Sequence, residues 1–336
     1  MNPYNNSAEI NNLSYKDISF ETNIANLIKF IILLIFQLLS ICCSLFLFFH
    51  LITKPKLRRS LRNHTIITLV IISFFQTISD LPLTLEYLRI GQASSSVFCL
   101  LWNFFALSNY AVGVWVMTWA SLERHFLIFH PGLMNTTRGK IFFHYIPLFV
   151  SLFIPWMYYI AMIFFYPCTN TFYLSALFCG WCCYAYNDAL VTFNWLMYGV
   201  IPVCLITILN LWLIIRVVLQ KRHVQQQINW RQHRRMTVQL LSVACLYIFF
   251  DGPAVIIGII RLGVPTFAAD IQILYLYYIV YFLPLLVPFI CLANFRELWN
   301  KNRVQVNPLM PLTRTRTVRR TGIVKPTTCI AQTSKV

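Results

Sequence analysis

The chain has 336 residues, 58% hydrophobic and 11% charged, with a mean hydropathy of +0.65. Soluble domains run at about 45–50% apolar and about 25% charged residues, so an ordinary soluble enzyme and a disordered protein are both excluded, and an integral membrane protein is left. The net charge of +17 does not point to nucleic acid, because the basic residues sit between hydrophobic runs.

Residues 1–27 are polar, carry no cleavable signal pattern and contain glycosylation sequons headed by Asn5 and Asn12, which predicts an extracellular tail. Seven continuous apolar runs follow, at roughly 28–52, 64–88, 98–122, 141–166, 190–219, 236–261 and 271–293. A helix needs about 20 apolar residues to cross the hydrocarbon, and these runs do not alternate as barrel strands do. The predicted fold is an all-α seven-transmembrane helix bundle over 28–293, its first span acting as a signal anchor. Several prolines lie inside the runs, and Pro82, Pro202, Pro253 and Pro288 are predicted helix kinks. After the last run, Phe295, Leu298, Trp299 and Asn302 share one helical face, which predicts a short interfacial amphipathic helix over 294–303. Residues 304–336 contain basic residues and no acid, and read as a disordered cytoplasmic tail attracted to anionic lipid.

An odd number of spans puts the termini on opposite sides. Of the 27 basic residues, only Lys16, Lys29, Arg89 and Arg261 fall on one side; the other 23 fall on the opposite side. The basic side is expected to be cytoplasmic, which makes the N-terminus extracellular. Cys99, Cys168, Cys179, Cys182 and Cys183 then share the outer, oxidising face. Cys179-Gly180-Trp181-Cys182 fits C-x-x-C but lacks the βαβ context of a redox motif. A structural disulfide from Cys99 to Cys183 or Cys182 is expected instead, and Cys168–Cys179 could close a second loop.

Asp80 and Asp251 are the two acids deep in apolar runs, both in the outer half. An ionisable group in lipid costs several kcal/mol unless it faces a cavity or a partner, so they mark the wall of an outward-opening pocket. The competing reading is that each bonds a backbone carbonyl freed by Pro82 or Pro253. Glu123-Arg124-His125 ends the third run at the inner face, where an arginine by itself is an ordinary interface anchor.

These residues together resemble the rhodopsin-like (class A) G-protein-coupled receptors, over about residues 28–303. The family carries a Cys at the outer end of span three and a Glu/Asp-Arg-Tyr motif at its inner end; Cys99 and Arg124 stand 25 residues apart as the family requires, and Glu123-Arg124-His125 keeps the acid and the arginine. Pro202, Pro253 and Pro288 match the family prolines of spans five, six and seven, and Phe295-Arg296 resembles the start of its eighth helix. The departures are large. Asp251 stands where the family has Trp, Val287 and Cys291 replace the Asn and Tyr of Asn-Pro-x-x-Tyr, and Asn210 replaces a Tyr. Ala106 stands where amine receptors carry Asp, so the resemblance does not imply an aminergic ligand, and without a lysine in span seven it does not imply retinal.

The resemblance implies a multi-pass plasma-membrane receptor that binds an extracellular ligand, a peptide or small molecule, and activates heterotrimeric G proteins through Glu123, Arg124 and His125, with Glu123 able to pair with Arg124 at rest. Arrestin and kinases are further implied partners at the tail. Candidate pocket residues are Asp80, Glu86, Asn103, Ala106, Tyr110, Asp251 and Tyr278. The competing function is a seven-span transporter or channel using Asp80 and Asp251. No catalytic motif, metal or cofactor is indicated, and the lipid bilayer, not nucleic acid, is the expected surroundings.

Overall fold

The computed structural model describes the backbone of residues 4–55, 61–129, 132, 136–223, 230–264 and 267–294, with side chains from residue 24 onward except at 61–62, 218, 220–223, 230–237, 262, 269 and 294. The side chains of the sequon residues Asn5 and Asn12, the expected interfacial helix after residue 294 and the basic tail lie outside that description. Apart from short loops, every regular element among the described residues is helical.

The helices are α1 (Tyr4–Thr53), α2 (Leu61–Ser79), α3 (Leu81–Ile90), α4 (Ser96–Phe129), α5 (Ile146–Ile160), α6 (Asp188–Trp195), α7 (Ile201–His223), α8 (Trp230–Phe250), α9 (Gly252–Gly263), α10 (Tyr277–Val280) and α11 (Phe282–Asn294). Six stretches are long and apolar enough to cross a bilayer, and α8 with α9, bent by 40°, makes a seventh if the pair is one span. In α1 the apolar stretch is Ile24–Thr53, and the helix continues back to Tyr4 through the polar tail.

Helix α4 is the axis of the bundle. It packs on α2, α5, α7 and α8, while α11 closes the ring onto α1, α2 and α8. Burial follows this placement: 56% of the most apolar window of α4 is inside the protein, against 22% for the span containing α5. The outward faces are apolar instead of polar, with Phe49, Ile52, Phe142, Phe149 and Phe249 more than half exposed. A contiguous apolar exterior of this kind is stable against lipid and a liability in water.

Three spans are interrupted at a polar residue just ahead of a proline. Asp80 separates α2 from α3 two residues before Pro82, and Asp251 separates α8 from α9 two residues before Pro253. Tyr281 separates α10 from α11 ahead of Pro284. Proline lacks the N–H that would bond four residues back and its ring crowds that carbonyl, so the ladder cannot run through. The kink expectations at Pro82 and Pro253 correspond to these breaks. Pro202 opens α7 directly after a π-helical turn at Leu196–Val200. Pro288, in contrast, lies inside continuous α11, and the interruption of that span is at Tyr281.

The disulfides differ from the expected pairs. Cys99 bonds Cys179, and Cys168 bonds Cys183. The cause is a left-handed turn: Phe178, Cys179, Gly180 and Trp181 all have positive φ, from 51° to 78°. This turn lays Cys179 on the end of α4, where the Asn103 amide donates to the Phe178 carbonyl at 2.8 Å and the Phe178 ring packs at a tilt against Trp102. Non-glycine residues in this region cost about 1–3 kcal/mol each and persist only where surroundings over-determine them; a disulfide, a hydrogen bond and a ring contact do so here. Cys183 is turned away toward Cys168, its backbone N–H held by Asn170. Cys182 is free and buried among Phe104, Tyr159 and Ile163, where burial pushes its thiol up to about 12.

Candidate functional site

Between the broken helices, at the disulfide end, lies a cavity of about 400 Å³. That is within the range of about 300–1,000 Å³ typical of small-molecule sites. Its walls are aromatic: Tyr110, Tyr159, Tyr184, Tyr198, Tyr277 and Tyr281, with Phe178, Trp181 and Trp195. Its charged lining residues are Asp80, Asp251 and Arg261.

Each aspartate sits at a helix break and is buried, Asp80 at 1% and Asp251 at 2% exposure. Neither carboxyl bonds the carbonyls that Pro82 and Pro253 release. The Tyr281 hydroxyl donates to Asp80 at 3.1 Å, and the Tyr110 hydroxyl donates to Asp251 at 2.8 Å. Tyr281 is itself held by Thr84 at 2.7 Å, and Thr84 accepts from the Trp102 indole at 3.0 Å. This network joins α3, α4 and the break before α11. The half-helices α3 and α9 begin immediately after the aspartates, so each carboxyl lies at the positive end of a helix dipole.

Of the expected pocket residues, Asp80, Ala106, Tyr110 and Asp251 line the cavity. The other three do other work. Glu86 is partly exposed and accepts from Ser94 at 2.6 Å. Asn103 is fully buried and ties α4 to the disulfide loop. Tyr278 turns toward α1, with the Lys29 ammonium 4.5 Å over its ring. Their side chains are instead engaged with Ser94, the Phe178 carbonyl and Lys29, a difference of helical rotation that spacing alone does not give. Gln76, Trp195, Arg261, Gln272 and Tyr281 also line the cavity, and no local sequence pattern marks them. The aromatic fraction of 16% was the available signal for the walls, without indicating which rings converge.

The other end of α4 carries a second polar cluster. Glu123, Arg124 and His125 are all buried, at 2%, 4% and 5% exposure. The Glu123 carboxylate is held from two helices: Thr65 donates to Oε2, and His144 Nδ1 lies 2.5 Å from Oε1. His144 Nε2 faces His64 Nδ1 at 3.2 Å, so a chain of polar groups runs His64–His144–Glu123–Thr65. His125 Nε2 meets the Leu209 carbonyl at 2.9 Å and its ring packs on Trp212, which fastens α4 to α7. Asn210, one turn away, donates to Ser121 at 2.9 Å. The Arg216 guanidinium lies 3.9 Å over the Phe129 ring. The partners of Glu123 come from helices far apart in sequence, and no local motif announces them.

No family model matches the chain. No curated protein matches it either.

Proposed function

We propose that this chain is a rhodopsin-like, seven-span plasma-membrane receptor that binds an extracellular ligand and activates heterotrimeric G proteins. In this reading α8 and α9 form one bent span, the cavity opens outward, and the Glu123–His125 end of α4 faces the cytoplasm. The distribution of basic residues supports the orientation, and two disulfides at the cavity end agree with an oxidising outer face.

One observation carries the reading. The cavity and the buried Glu123-Arg124-His125 cluster lie on the same uninterrupted helix α4. From Tyr110 to Glu123 is about 20 Å along the axis at about 1.5 Å per residue. The intervening turns are packed in an apolar core with Val112, Val116, Met117 and Ala120. A channel or transporter would want ionisable groups along that path, and α4 carries none between Tyr110 and Glu123. A receptor needs only two packings of the same helices, with ligand favouring one. The 40° break at Asp251 supplies the flexible point at which α8 could swing while α9 stays on the cavity.

Nucleotide exchange on purified G proteins tests the reading. The chain reconstituted in lipid should accelerate exchange, with some activity in the absence of ligand, since the sequence at the inner end of the sixth span carries Arg231, Arg234 and Arg235 and no acid. Arg124→Ala should abolish exchange per receptor at the surface. Equal exchange per receptor in mutant and wild type would remove Arg124 from the mechanism, and no exchange with any G-protein class would remove the receptor reading.

A further inference from the structure

The cavity has an electrostatic and hydrogen-bonding imbalance that specifies what it can hold. Asp80 and Asp251 enter its lining from two different helix breaks, each with a tyrosine hydroxyl as donor. The single ion pair within the described residues is His144–Glu123, so neither aspartate has a basic side chain within pairing distance. A buried carboxylate without a counter-charge is costly. Aromatic residues, Tyr110, Tyr159, Tyr198, Trp195 and Tyr281 among them, line the same space. Aromatic faces attract cations and repel anions.

A second, independent observation concerns Gln272. It is fully buried and lines the cavity. Its Oε1 accepts from Arg261 Nη1 at 2.5 Å, which fixes the amide orientation, and its Nε2 has no hydrogen-bond partner. Gln272 thus places an unpaired buried donor in the cavity wall, and such a donor favours any acceptor that can reach it. Gln272 and Arg261 belong to the segments flanking the outer loop between the sixth and seventh spans, whereas the aspartates lie deeper, at the breaks. The two demands are thus separated along the cavity.

We infer that the cavity binds a small organic cation that also carries an oxygen acceptor: its ammonium sits between Asp251, Asp80 and the aromatic rings, and its oxygen accepts from Gln272 Nε2. The inference rests on the receptor reading only for the direction in which the cavity opens. It differs from an aminergic site in that Ala106 on α4 supplies no acid and the carboxylates come from the breaks before α3 and α9.

Direct binding to the full chain in lipid nanodiscs, without G protein, tests it. Two matched pairs of probes share shape and oxygen acceptor and differ in charge: tyramine against tyrosol, and acetylcholine against 3,3-dimethylbutyl acetate. At least one cation should bind ten times or more tighter than its neutral partner. Asp251→Asn should erase that preference, and Asp251→Glu should retain it, which separates lost charge from lost folding. Gln272→Leu should weaken the preferred cation and leave the charge preference in place. Equal affinities within both pairs, preference for the neutral members, or no binding of either cation at millimolar concentration would each overturn the inference. Cation binding without nucleotide exchange would remove the receptor reading and keep this one; ligand-independent exchange with neutral preference would do the reverse.

Discussion

Replacing His144 by leucine isolates the polar cluster at the Glu123 end of α4. In the native protein the Glu123 carboxylate is 2% exposed, and its oxygens are taken by Thr65 and by His144 Nδ1 at 2.5 Å. The imidazole is itself fully buried, so water cannot replace it without opening the interface between α4 and the π-helical turn Ile141–Tyr145 that precedes α5. Removing one partner of a buried pair costs about 3–5 kcal/mol, because the remaining charge is left uncompensated. With a shift of about 2–4 °C per kcal/mol in domains of 150–250 residues, His144→Leu should lower the apparent thermal midpoint by at least about 6 °C. The assay is thermal unfolding of detergent-solubilised protein at one fixed scan rate, since membrane proteins of this size unfold irreversibly. Adding Glu123→Gln removes the stranded charge and should recover at least half of the loss. A single mutant within 2 °C of wild type, or a double mutant no better than the single, would refute the argument that His144 compensates Glu123.

Peptide mapping of folded protein should recover Cys99–Cys179 and Cys168–Cys183, with Cys182 as a free thiol; a Cys99–Cys183 peptide would contradict the left-handed turn at residues 178–181. Closing an 80-residue separation is worth about 4–5 kcal/mol in the chain-entropy model, so Cys179→Ser should reduce surface expression sharply. Burial raises the Cys182 thiol to about 12, so its thiolate fraction at pH 8 is about one in ten thousand and rises with pH, and maleimide should label it only after unfolding. A Cβ at Gly258 would stand 2.9 Å from the Trp195 ring, so Gly258→Val should push that ring into the cavity and weaken binding of the preferred cation at least tenfold with little change in expression; unaltered affinity would mean that Trp195 does not shape the site. An N-terminal epitope should be accessible on intact cells and a C-terminal one only after permeabilisation, and the opposite pattern would reverse the assigned orientation.

Hydropathy along the chain is a one-dimensional quantity, and what depends on it alone was legible without a fold. The apolar runs appear as helices close to their expected bounds, because lipid forces every backbone group to be satisfied within its own helix. Asp80 and Asp251 as cavity residues were also legible, since a deep acid must face something polar, and so were the breaks at Pro82 and Pro253, since a missing N–H is a property of the residue itself. What needed the tertiary structure is every partnership between residues far apart in sequence. Tyr281 reaching Asp80, Tyr110 reaching Asp251, His144 and Thr65 closing on Glu123, and Arg261 taking one side of Gln272 depend on helix rotation, which a break or a π-helical turn resets by tens of degrees. The disulfide pairing turned on a sharper version of the same cause. Four residues with positive φ, three of them not glycine, exchanged the positions that Cys179 and Cys183 take by simple spacing, and the packing of Phe178 on Trp102, the Asn103 bond and the Cys99–Cys179 disulfide itself hold the backbone in that shape.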